Sequence, residues 1–178
     1  MMSSIFYQEG FAVPPMSCER IENMTKIIRL ANPNHINENG AIDVLALLEL
    51  EYGKYRVVPD EELPGILGLT LPTGEILLRE SIYDGAFDGN GRARFTIAHE
   101  LAHALMHKKY IGLARPVERT TKIYCNAEWQ ANEFAGRLLL PTDSLLDNRK
   151  LSVSELAENF GVSLECAQTR RNKLNRNK

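Results

Sequence analysis

The chain holds four histidines, and three of them, His99, His103 and His107, fall within nine residues. They lie in the stretch "RFTIAHELAHALMHKKY", where Glu100 follows the first. Residues i and i+4 of a helix project from one face, one turn apart. Two imidazoles so placed can share one metal ion, and a glutamate at i+1 sits to one side as a general base. His99, Glu100 and His103 make this H-E-x-x-H arrangement. The plainer reading is a surface helix with ordinary polar residues. The neighbours weigh against it, because Phe95, Ile97, Ala98, Leu101, Ala102 and Leu105 make the segment strongly apolar. Buried imidazoles and carboxylates need partners, and one ion supplies a partner for all three.

Three protein ligands and one open position define a catalytic zinc site, whereas four ligands define a closed structural one. The third ligand therefore decides. His107 lies two turns above His99, about 12 Å along a straight helix axis, too far for all three rings to meet one ion. It also misses the spacing of the longer H-E-x-x-H-x-x-G-x-x-H pattern, which would need glycine at Met106 and histidine at Lys109. His107 reads instead as a residue of the helix end or one supporting the ligands from behind. The next helix, "AEWQANEFAGRLLLP", offers Glu128 and Glu133. Glu128 and Asn132 are again i and i+4, so Glu128 can ligate while Asn132 accepts a hydrogen bond from the far ring nitrogen of a ligand histidine. Glu133 is turned about 100° from Asn132 and has no such companion. The bland role for Glu128 is a solvated carboxylate at a helix start, where the dipole favours it.

These groups need elements to carry them. Residues 1–19 contain Pro14 and Pro15 and show no period, so they read as an extended arm. "ERIENMTKIIRLA" and "AIDVLALLELEYG" have helical spacing, separated by the turn-rich "NPNHINENG". Three β-like runs follow, "YRVVP", "GILGLTLP" and "GEILLRESIYD", with "PTG" at 72–74 suggesting a hairpin between the last two. The third run is a candidate edge on which a substrate strand pairs. "GAFDGNG" reads as a loop, then come the histidine helix and a helix from Asn126 to Leu140 that Pro141 stops. The tail reads as helix, turn at Gly161, helix. The order gives an α+β fold, a small antiparallel sheet packed against the histidine helix and the second ligand-bearing helix. It divides into an arm (1–19), a metal-binding domain (20–150) and a C-terminal helical segment (151–178).

Composition narrows the classes. The net charge of −2 gives no global basic field for nucleic acid or anionic membrane. No run approaches the ~20 apolar residues of a membrane span, and the N-terminus lacks the charged and apolar regions of a secretory signal. Cys18, Cys125 and Cys166 are odd in number and far apart, which suits free thiols in a reducing cytoplasm.

"TIAHELAHALMH", followed some twenty residues later by "AEWQANEFAGRLLLP", resembles the ImmA/IrrE family of metallopeptidases, over about residues 65–141. The resemblance implies zinc, with another divalent ion such as Mn2+ as the alternative, held by His99, His103 and Glu128 in a gluzincin-like arrangement. It implies Glu100 as catalytic base and a cytoplasmic endopeptidase that cleaves a helix-turn-helix repressor and so derepresses genes. The oligomeric state and the oxyanion donor stay open; Tyr110 and Tyr124 are near in sequence only. A competing class is a DNA-binding regulator built on the tail, where Arg170, Arg171, Lys173, Arg176 and Lys178 gather positive charge. A third is a metal sensor that does not cleave, for which Glu100 has no use.

Overall fold

The computed structural model describes residues 10–111, 116–118 and 120–176. From residue 10 the arm runs extended to Ser17, whose side chain caps helix α1, Cys18–Ala31, by accepting from Arg20 N. Helix α2 begins at Val44–Ala46, capped by Asp43, and widens into a π-helical turn, Leu47–Tyr52. Three strands follow: β1, Tyr55–Val58; β2, Gly68–Thr70; and β3, Ile76–Arg79. Helix α3, Glu80–Phe87, leads to α4, Gly91–Ala102, which carries the histidines and continues as a π-helical turn, His103–His107. Helix α5, Ala127–Leu139, is followed by α6, Thr142–Asp147, α7, Val153–Phe160, and α8, Leu164–Arg176.

The fold is α+β, but the sheet is mixed where an antiparallel one was expected. The order is β1-β3-β2, with β3 antiparallel to β2 and parallel to β1. The expected turn at 72–74 closes the β2–β3 hairpin, with Leu71 N donating to Glu75 O at 2.8 Å. The connection from β1 skips a position in the sheet and leaves β1 on the far side of β3 from β2. That placement corrects the edge expectation as well. "EILLRESIY" cannot serve as an edge, because β3 has a neighbour on both sides. Nor is that run all strand. From Glu80 it turns helical, which buries Ala86 in the core and stacks Tyr83 on Tyr55.

One hydrophobic cluster joins these layers. Ile97, Ala98 and Leu101 of α4 meet Phe134, Ala135 and Leu138 of α5, with Ile21, Leu48, Ile76 and Leu78 around them. The C-terminal segment belongs to the same cluster through Leu156, Phe160, Val162, Cys166 and Ala167. Its turn follows the sequence signals. Ser152 and Glu155 form a reciprocal capping box at the start of α7, and Gly161 ends it at φ 57°, a left-handed conformation that glycine adopts without Cβ strain. The basic residues of α8 are largely spent inward. Arg170 Nε donates to Leu140 O at 2.9 Å, Arg171 donates to Leu151 O, and Lys173 pairs with the buried Glu133. Arg176 stays exposed, and Lys178 lies outside the described residues. A phosphate footprint on this helix is therefore much smaller than the sequence suggests.

Candidate metal centre

Helix α4 starts at Asn90, whose side chain accepts from Arg92 N and Ala93 N. Its apolar face is buried against the sheet and α5, which leaves the His99–His103 edge turned to a cleft. Helix α5 is capped by Asn126, whose Oδ1 accepts from Glu128 N at 2.8 Å and Trp129 N at 3.2 Å. That cap sets Glu128 in the first turn, where the helix dipole favours a carboxylate. Packing of α5 along α4 then brings the two edges together.

Glu128 Oε2 lies 3.1 Å from His99 Nε2, and Oε1 lies 3.2 Å from His103 Nε2. The two imidazole Nε2 atoms are 3.0 Å apart. An ion bound tetrahedrally at zinc's usual distances to nitrogen and oxygen, about 2.0–2.1 Å, requires donor–donor edges of roughly 3.3 Å. The triangle already present fits that requirement, and two imidazoles with one carboxylate are a donor set zinc takes. Among the described residues, these three form the one such cluster able to hold a metal ion. Glu133, the other acidic candidate on α5, faces away. It is buried against Arg137, at 3.1 Å, and Lys173.

Electrostatics favour a cation here. Burial works to raise the Glu128 carboxyl pKa, but hydrogen bonds from His103 and His99 hold it down at about 2. Burial likewise works to lower His99, and the Glu128 hydrogen bond with the charges of Glu100 and Glu128 more than offsets it, so its pKa is raised. His107 has no comparable anionic partner; burial and neighbouring His103 push it down to about 4.

The supporting residues are placed as follows. Asn132 Oδ1 lies 3.0 Å from His99 Nδ1, on the side of the ring away from Glu128. The His103–His107 turn is π-helical, so the helix is not the straight one assumed above, and His107 Nδ1 comes within 3.0 Å of His103 Nδ1. His107 is still absent from the ligand triangle. Glu100 is absent from it too. Its carboxylate turns toward the sheet, where the Thr70 hydroxyl lies 2.8 Å from Oε2 and 3.0 Å from the Glu100 carbonyl oxygen. Glycine is required opposite it: a Cβ at Gly68 would stand 2.8 Å from Glu100 Cγ.

A cleft of about 230 Å³ opens over these groups, walled by Ile66, Leu67 and Gly68 on one side and by Phe95 and Thr96 on the other. Neither Tyr110 nor Tyr124 lines it. Sequence reasoning missed Thr70, Gln130 and Phe11. Thr70 is a small residue in a short strand, with nothing in its spacing to mark it. Gln130 is off the Glu128–Asn132 face. Phe11, in the arm, packs its ring 6.2 Å from that of His103 and 6.1 Å from that of His107, closing the back of the centre. The arm is held there by Ala127 N donating to Phe11 O at 3.0 Å and Val13 N to Cys125 O at 2.9 Å.

A zincin-like helix, a carboxylate from the next helix and a sheet beside them define a metallopeptidase class of site. Residues 75–172, more than half of the chain, match the family model of the IrrE N-terminal-like domain, and the chain belongs to that peptidase family. No curated protein and no solved structure matches it. The family implies a divalent metal, usually zinc. Among the described residues no helix is long and apolar enough to cross a membrane.

The contact of Asn132 with His99 carries a prediction. Losing the partner of a ligand histidine typically costs about 10–100-fold in metal affinity or activity. Asn132→Ala is expected to weaken zinc by that factor in a chelator competition. Unchanged affinity would leave the amide without a role in orienting His99.

Proposed function

We propose that this chain is a cytoplasmic zinc endopeptidase that cleaves one protein partner, a helix-turn-helix repressor, and thereby derepresses genes. The convergence of His99, His103 and Glu128 beside an independently held Glu100 supports this reading most directly. When bound, zinc would lower the pKa of a ligated water towards 7 and polarise the scissile carbonyl. His99, His103 and Glu128 would hold it, and Asn132 would orient His99. Thr70 holds Glu100 through Oε2, and Oε1 is the atom that takes the proton from the attacking water. The same carboxyl then passes that proton to the leaving amine. An amide cannot perform this transfer.

Strand β2 is the sheet edge next to the cleft, since β1 lies beyond β3. A substrate strand pairs along it by main-chain hydrogen bonds, with half-exposed Leu67 offering apolar contact. The narrow cleft suits one extended chain. The outer faces of the arm and of segment 151–178 are the surfaces proposed to dock or gate the partner.

Selectivity separates this from general proteolysis. The zinc-loaded chain is expected to cut a helix-turn-helix repressor offered as substrate and to leave casein largely intact, as followed by mass spectrometry of the products. Efficient casein digestion would refute the narrow-substrate reading. Failure to cut the repressor while casein also survives would refute the repressor as partner.

A further inference from the structure

We propose that Gln130 and His107 form a hydrogen-bonded relay that fixes the tautomer of His103, so that its Nε2 lone pair faces the metal; this rests on the zinc-centre reading above. The direction of the relay follows from its far end. Gln130 Nε2 lies 2.9 Å from the Pro14 carbonyl oxygen and 2.8 Å from that of Tyr124. Carbonyl oxygens only accept, so this atom is the amide nitrogen, and each of its two hydrogens has an acceptor. Main-chain atoms of the arm and of the turn before α5 thus decide how the amide is oriented. Its oxygen, Oε1, lies 3.0 Å from His107 Nε2.

An amide oxygen also only accepts, so His107 carries its hydrogen on Nε2. The ring is 1% exposed and its hydrogen-bond neighbours are a neutral amide and an imidazole. A buried imidazolium without a hydrogen-bonded anion is costly, so His107 is neutral and its Nδ1 keeps a lone pair. That atom faces His103 Nδ1 at 3.0 Å. The single hydrogen between the two nitrogens therefore belongs to His103. With Nδ1 protonated, a neutral His103 has a bare Nε2, the atom that lies beside Glu128 and His99. An isolated imidazole side chain prefers its hydrogen on Nε2, the wrong nitrogen for this site. The relay favours the other tautomer, the one that a His103 ligating through Nε2 must have. Its partner in the usual arrangement is a carboxylate or a backbone carbonyl; here a second imidazole, itself oriented by Gln130, does the same work. Gln130 is 1% exposed and never touches the metal, so it is a positioning residue.

Two measurements on the full chain test this. In the zinc-loaded wild-type protein, nitrogen-15 NMR of the histidines is expected to show His107 protonated on Nε2 alone, with a coupling between the two Nδ1 atoms through the shared hydrogen. Protonation of His107 on Nδ1, or on both nitrogens, would overturn the relay. The second measurement is zinc affinity of Gln130→Leu by chelator competition, with circular dichroism to verify folding. The expected loss is about 10–100-fold; a folded variant with wild-type affinity would overturn the relay while the zinc centre stands. A wild-type chain that binds no zinc would instead overturn the centre itself, and the relay with it.

Discussion

Glu100→Gln is expected to leave zinc bound at one ion per chain and the fold intact, and to lower repressor cleavage by about 10²–10⁴-fold or more, the usual contribution of a general base. The geometry isolates the effect. Glu100 is outside the His99–His103–Glu128 triangle, so the substitution removes none of the proposed donors. The amide is nearly isosteric, fits opposite Gly68 as the carboxylate does, and offers Thr70 an oxygen in place of Oε2. What it lacks is a site for the proton of the attacking water. Metal analysis together with a cleavage time course reads both halves. Near-normal proteolysis by the variant would remove Glu100 from the mechanism.

The second large effect belongs to His103→Ala, which is expected to abolish stoichiometric zinc. His103 is 2% exposed and bridges three groups: Glu128, His99 and His107. Its loss deletes a proposed ligand and also leaves buried His107 Nδ1 unpaired, at about 1–3 kcal/mol. Thermal unfolding separates the consequences. Zinc at about 100 times its Kd stabilises the wild-type chain by roughly 2.7 kcal/mol, which for a domain of this size corresponds to a Tm rise of roughly 5–11 °C. The variant should start from a lower Tm and show no zinc-dependent rise. Retained stoichiometric metal, or an unchanged rise, would show that His103 is not a ligand.

Much of this site is legible along the chain because its signals are local. The i,i+4 spacing of His99 with His103, and of Glu128 with Asn132, holds in any α-helix, whatever packs around it. The helix limits are local too: Asn126 caps α5, and Leu140 with Pro141 ends it. The failures occur where the chain's neighbours outweigh its own preference. "ESIYD" continues the β-like run and "GAF" opens a glycine-rich stretch, yet together they fold as α3, because Ala86 and Ile82 then meet the core and Tyr83 meets Tyr55. The π-helical turn at His103–His107 has no counterpart in apolar spacing, and it is what brings His107 onto His103.

By itself, then, the sequence determined a histidine pair on one helix face, a glutamate beside it, a carboxylate and an amide sharing a face further on, and an α+β chain of helices around three short strands. These depend on backbone hydrogen bonds and side-chain periods a few residues long. Only the tertiary structure decided that β3 is central and β2 the edge, that Thr70 and Gly68 hold and accommodate Glu100, and that Gln130 ties the arm to the histidines. Those contacts join residues distant in sequence. They form when burial of the shared core brings α4, α5, the sheet and the arm together, because polar groups drawn inside must then find partners there or lose the ones they had in water.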